Sequence, residues 1–290
     1  MKIMSIHAHF DDFEFTGGGL FTLWKNKLGD ELETKVVVCT NGEAGHHFMT
    51  KKETGVARRQ EQLESAKIGG YDVEFLKYPN GEYPREGCLF VNAPLLASLW
   101  KSIRDFKPDY IFCPPMPSST TAGIHIDHVA VADAVRKVAY MINVPHCYLE
   151  EYPVEDETQT EYIEVPVIIN YTDGYMHEDN LIDFAVDTSS VIDVVAAMSY
   201  CHKSQIMEWL PWVGRNHISR VPENLEDWTD VLKERRASLS KGFGLKKEGQ
   251  YECFTLTAWG AVPNGKKVLN EIPGIDKLAW PVDKLLSRYS

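Results

Sequence analysis

MKIMSIHAHFDDFEFTGGGLFTLWKNKL, residues 1–28, reads as one strand followed by one helix. Residues 3–8 form the short apolar run that a strand buried on both faces requires. Beyond the glycines at 17–19, Leu20, Trp24 and Leu28 recur every four residues, the spacing of a single buried helical face. The alternation continues outward from this unit. Val36-Val37-Val38-Cys39 is a second buried-strand run ended by Asn41-Gly42, and a charged, glutamine-rich helix is expected over about 56–68. Val73-Glu74-Phe75-Leu76 leads to the turn Pro79-Asn80-Gly81, and a helix over 93–103 puts Leu95, Leu96, Leu99, Trp100 and Ile103 on one face. Tyr110-Ile111-Phe112-Cys113 then runs as a strand into Pro114-Pro115, and a fourth helix carries Ala132, Val135, Ala139 and Ile142.

Strands separated by helices of about ten to fifteen residues imply right-handed crossovers. The expected fold class is therefore α/β, a Rossmann-like, mostly parallel sheet with helices on both faces. In such sheets the ligand crevice lies at the carboxyl ends of the strands. The second half is less regular. An acidic stretch at 150–161 reads as a solvated loop, 162–171 as strand-like, 191–207 and 225–239 as helices, and 254–259 as a late strand. We expect a single domain over 1–290, with 1–145 as the regular core and 146–290 as its elaboration.

Composition narrows the function classes. Thirty basic against forty-two acidic side chains give a formal charge of −12, which argues against nucleic acid or an anionic membrane as partner. No apolar run approaches the ~18 residues of a membrane span. The N-terminal stretch reads as a strand rather than a signal peptide, so a cytoplasmic location is expected. The six cysteines show no C-x-x-C pair and read as inert thiols. Serine-hydrolase and dinucleotide-binding signatures are absent, and 260–267 misses a phosphate-binding loop because Lys267 stands in place of a hydroxyl residue.

Two clusters carry chemistry. His9-Phe10-Asp11-Asp12-Phe13-Glu14 sits where the first strand should end, so an imidazole and three carboxylates converge on the crevice. Their burial needs a cation or hydrogen bonds to offset it; the alternative is an Asp-rich turn capping the next helix. His125-Ile126-Asp127-His128 follows the fourth strand and projects into the same crevice, with the two histidines one helical turn apart. Asp127 suits a carboxylate–histidine hydrogen bond, here to an imidazole beside a metal. Two histidines and one carboxylate with an open fourth position form a catalytic zinc pattern, with His9, Asp12 and His128 as the candidate ligands.

The sequence resembles the LmbE-like, or PIG-L-like, zinc-dependent N-deacetylases. The resemblance rests on Ala8-His9-Phe10-Asp11-Asp12-Phe13-Glu14 with Gly17-Gly18-Gly19, on His125-x-Asp127-His128, on Thr40-Asn41-Gly42-Glu43-Ala44-Gly45, on Arg58-Arg59-Gln60-Glu61, and more weakly on His202-Lys203-Ser204-Gln205. It implies removal of the acetyl group from an N-acetylglucosamine-type sugar or conjugate by a zinc-bound water. Zinc, or another divalent transition metal, would be held by His9, Asp12 and His128. Asp11 would be general base; His125, polarised by Asp127, would stabilise the oxyanion or protonate the amine; Arg58 and Glu43 would contact substrate. Phe10 replaces a common proline and would wall the pocket. Gly123 stands where some members offer a tyrosine hydroxyl, and the Ser118-Ser119-Thr120-Thr121 stretch is a nearby source of hydroxyls. The implied partner is a small N-acetylated sugar, with a homo-oligomer left open. The rival readings are an amidase for another amide or a thiol-sugar conjugate, and a non-catalytic metal- or carbohydrate-binding protein.

Overall fold

Each central strand is apolar throughout because both its faces are covered. Ile3, Val36, Val38, Tyr110 and Phe112 enter one core cluster, while Met4, Ile6, Val37, Ile111 and Cys113, alternating with them, enter another. A computed structural model describes residues 1–153, 161–176, 179–214 and 217–290. The strands β1 (Lys2–His7), β2 (Glu33–Val38), β3 (Asp72–Phe75), β4 (Tyr110–Cys113), β5 (Val167–Tyr171), β6 (Phe184–Asp187) and β7 (Tyr251–Leu256) form one sheet in the order β3-β2-β1-β4-β5-β7-β6. Pairing is parallel from β3 to β5, and β7 runs antiparallel to both its neighbours. The α/β class with a mostly parallel sheet is thus as expected.

The helices are α1 (Asp12–Thr16), α2 (Gly18–Leu28), α3 (Lys51–Gly69), α4 (Ala93–Phe106), α5 (Ile126–Met141), α6 (Ile192–Tyr200), α7 (Leu210–Val213), α8 (Leu225–Gly242), α9 (Gly265–Glu271) and α10 (Asp283–Arg288). α4 and α5 cover one face of the sheet; α2, α6 and α8 pack on the other through Trp24, Val195 and Trp228. The chain leaves β1 towards β2 on one side and returns to place β4 on the other. That makes the carboxyl ends of β1 and β4 the switch point, where a crevice must open.

Four expectations need correction. α3 starts at Lys51 rather than 56, because Thr50 and Glu53 form a capping box ahead of the charged stretch. The helix expected over 191–207 breaks after Tyr200 and resumes as a wide π-helical turn, Ser204–Trp209, where Glu61 of α3 takes the amide (2.7 Å) and hydroxyl (2.6 Å) of Ser204. The strand expected at 162–171 begins only after Pro166, which has no N–H for a ladder, and the late strand ends at Leu256. Of the acidic stretch 150–161, residues 154–160 lie outside the described residues.

Candidate active site

β1 delivers the chain to a sharp reversal at its carboxyl end. Asp11, the N-cap of α1, sits in the left-handed region at φ 79°, an uncommon conformation for a residue with a side chain. The reversal folds Asp12 back onto His9: the Asp12 Oδ2 accepts from the His9 amide at 2.9 Å and lies 3.5 Å from His9 Nδ1. After β4, His125 caps α5 and the first helical turn brings round His128. His128 Nε2 lies 3.2 Å from His9 Nδ1 and 3.5 Å from Asp12 Oδ2. Three donors bound to one tetrahedral zinc at ~2.0–2.1 Å stand ~3.4 Å apart, so these atoms fit a single small divalent ion. His125 also brings a ring nitrogen within 4.8 Å of those of His9 and His128, so a three-histidine group shares two corners with the expected set.

Carboxylates behind the ring orient it. Asp127 accepts from His9 Nε2 at 3.0 Å and from the amides of Gly87 and Leu89, and Asp173 meets His128 Nδ1 at 2.8 Å. Burial alone would lower the two imidazoles. The carboxylates outweigh it, raising His9 to about 9 and His128 well above its ordinary value. Protons held this firmly between buried groups mark a site that favours positive charge, the charge a divalent ion would supply there.

Asp11 is not part of the triangle. Burial pushes its carboxyl up, against the pull of the Arg58 guanidinium 3.8 Å away, and leaves it at about 7. A carboxyl poised there suits proton transfer at neutral pH. Arg58 is itself anchored by Glu86 at 2.8 Å and by the Phe10 carbonyl at 3.1 Å. His125 Nδ1 accepts the Asp127 amide at 3.2 Å, so in the neutral ring the proton lies on Nε2. Burial, followed by the neighbouring His9 and His128, lowers this imidazole to about 4. His9, Asp11, Asp12, Arg58, His125 and His128 all line one cavity of about 1560 Å³.

Residues 4–139 match the model of the family described as PIG-L, GlcNAc-PI de-N-acetylase. Over that region the chain is similar to the PIG-L family. No curated protein matches it. Among solved structures it is similar to an N,N'-diacetylchitobiose deacetylase from Pyrococcus horikoshii in complex with an inhibitor, at 21% identity and a TM-score of 0.64, covering 89% of this chain and 84% of that one. It is also similar to GalB, the 4-carboxy-2-hydroxymuconate hydratase of Pseudomonas putida KT2440 (19%, 0.60, 88% and 95%), and to the conserved protein TT1542 of Thermus thermophilus (20%, 0.58, 88% and 93%). At such identities the likeness is one of fold. A deacetylase and a hydratase share it, so the reaction must be argued from side chains.

The structure places three residues differently from the sequence expectation. The Asp127 carboxylate serves His9 rather than His125, because the first turn of α5 points it back beneath β1. Glu43 lines a separate pocket with Tyr78, Tyr83 and Arg85, its loop being held by Asn41, and does not reach the cavity of the histidines. Phe10 is fully buried, stacked on Phe75 at 5.4 Å, and walls nothing. Asp173, which the sequence reading missed, comes from the irregular half. So does Tyr175, whose ring packs on His125 and His128 at 5.4 and 5.5 Å. A side chain at Gly123 would put its first carbon 2.3 Å from the Tyr175 carbonyl oxygen, so the glycine is what lets that turn approach. Ser118 and Ser119 are tied to Asp179.

Proposed function

We propose that the protein is a metal-dependent N-deacetylase acting on an N-acetylglucosamine-type amino sugar or its conjugate, with zinc, or another divalent transition metal, held by His9, Asp12 and His128. The observation that carries this reading is the pairing of a three-donor triangle with a carboxyl, Asp11, that shares its turn and cavity yet is no corner of it. One carboxylate cannot easily hold a metal and accept a proton in the same step. Zinc in such a site supplies a Lewis acid and an activated water near neutral pH.

The chain's own groups divide the remaining work. Asp11 accepts the proton of the attacking water, with Arg58 steering its carboxylate. His125, neutral and with its proton on Nε2, donates a hydrogen bond to the oxygen that becomes negative as the amide carbonyl turns tetrahedral. Asp127 and Asp173 fix the rings of His9 and His128, which strengthens them as donors. Because Asp173 lies beyond residue 145, this reading treats 1–290 as one working domain. The PIG-L match and the deacetylase among the similar structures support the choice of an N-acetyl sugar.

The test is acetate and free-amine release by the zinc-loaded protein across N-acetylglucosamine, its phosphates and its glycosides. Equimolar acetate and amine from at least one of them is expected. Saturable sugar binding without any acetate would overturn the reading in favour of a carbohydrate-binding protein.

A further inference from the structure

Asp11 holds a left-handed backbone, φ 79°, which a residue with a side chain seldom adopts unless its surroundings impose it. Helix α3 supplies that constraint. Arg58 and Gln62 stand one turn apart on its buried face and reach the same peptide unit, the one joining Phe10 to Asp11, at both of its polar atoms. The Phe10 carbonyl accepts from Arg58 Nη2 at 3.1 Å, and the Asp11 amide donates to Gln62 Oε1 at 3.3 Å. A planar unit held at both ends resists rotation, and the rotation of this plane is what sets φ of Asp11.

Gln62 is anchored in its turn. It is fully buried, and its Nε2 donates to Glu14 Oε1 at 2.9 Å and to the Tyr71 hydroxyl at 3.0 Å. A carboxylate only accepts, so the amide nitrogen must face Glu14 and the amide oxygen is left for Asp11. Asp12 is held by a different contact, its carboxylate accepting the His9 amide at 2.9 Å. Releasing Gln62 therefore frees the carboxyl beside the metal triangle and leaves the triangle itself in place.

We propose that Gln62 is a positioning residue: together with Arg58 it locks the Phe10–Asp11 peptide unit, and the lock keeps the Asp11 carboxyl beside the three metal-binding side chains instead of among them. The consequence for turnover rests on the reading of Asp11 as general base; the lock itself does not. A base displaced by about 1 Å from the water it must deprotonate loses on the order of a hundredfold in rate.

Gln62→Met keeps the length of the side chain and removes both polar atoms. In the zinc-loaded protein it should bind zinc as the parent does and hold KM within about twofold, while kcat falls about 10–100-fold. In an Asp11→Asn background the same substitution should cost less than about twofold, because the group it positions has already gone; a merely structural role would cost as much in both. Ser65→Ala, which takes another donor from Glu14 without touching Asp11, should leave kcat unchanged. Should the methionine variant not fold, Gln62→Asn, a methylene too short to span Asp11 and Glu14, carries the same two comparisons. Parental kcat in the variant, or an equal loss in the Asp11→Asn background, overturns the inference. Amide hydrogen exchange separates the lock from the chemistry: the Asp11 amide should exchange about tenfold or more faster in Gln62→Met than in the parent. Unchanged exchange would remove the lock. Faster exchange, with no acetate released by the parent from any N-acetyl sugar, would instead remove the deacetylase reading and keep the lock.

Discussion

Asp11 and Asp12 are neighbours in sequence with opposite electrostatic fates. Burial raises Asp11 to about 7, whereas for Asp12 the adjacent His128 and His9 override burial and hold the carboxyl well below its ordinary range. Their substitution should separate two functions. Asp11→Asn should bind zinc normally while turnover falls about 10²–10⁴-fold, the usual worth of a positioned base. Asp12→Asn should lose metal first, as metal analysis alongside kinetics would reveal; the reverse pattern would refute the division of labour. The orienting carboxylates behave differently again. Asp127→Asn and Asp173→Asn should each weaken zinc about 10–100-fold in a chelator competition while leaving the fold intact. If Asp173→Asn binds zinc as tightly as the parent, its 2.8 Å contact with His128 does nothing for the metal. The sequence shows His9, Asp12 and His128 because short motifs hold them, but not Asp173, which stands 45 residues from its partner in an ordinary turn. One signal could have found it: Asp173 lies just past the carboxyl end of β5, on the crevice edge of the sheet.

At the scale of elements, a buried polar knot locks the short helix α1 against α3. Glu14 accepts hydrogen bonds from Gln62, Ser65 and Tyr71, and His202, in the break between α6 and the π-helical turn, lies 3.3 Å away. Burial would raise the Glu14 carboxyl, but His202 and the hydroxyls bring it from 4.5 to about 2, and Glu14 in turn raises His202 despite its burial. The lowered carboxyl stabilises the fold fully above pH ~4.5 and loses that contribution as the pH falls towards 2; the raised imidazole contributes below its unfolded value of ~6.5 and loses it as the pH climbs through the folded one. Chemical unfolding should therefore show a loss of about 3 kcal/mol on the acid limb from this pair. Glu14→Gln should flatten that limb, and an unchanged slope would count against the ion pair. The knot also explains why a helix expected as continuous over 191–207 is not. Periodicity reports which face is apolar, whereas the break follows from where Glu61 and Glu14 meet Ser204 and His202, which no local pattern encodes.

Across the whole molecule, the regular β-α half was readable because its strands are apolar on both faces and its helices have one buried face each. The later half resisted because β7 pairs antiparallel with both neighbours, outside the β-α alternation, and its helices are interrupted, yet it closes the structure. Glu252 of β7 accepts the amides of Gly19 and Leu20 at the start of α2, both at 2.8 Å, and is paired with the buried Arg236 of α8. Gly19 is required there because a side-chain carbon would fall 2.6 Å from Thr188 and 2.7 Å from that carboxylate. Arg236→Ala leaves a buried carboxylate without its partner and should cost about 3–5 kcal/mol in denaturant unfolding; a loss under about 1 kcal/mol would mean the helix amides satisfy Glu252 unaided. The same closure carries Asp173 to His128, and so joins both halves at the proposed metal site. The most direct measurement is zinc titration of the metal-stripped protein. One saturable site at ~1 equivalent, lost in His9→Ala and His128→Ala and restoring acetate release as it fills, is the expected result. Failure to saturate at one equivalent, or undiminished binding in His128→Ala, would contradict the account.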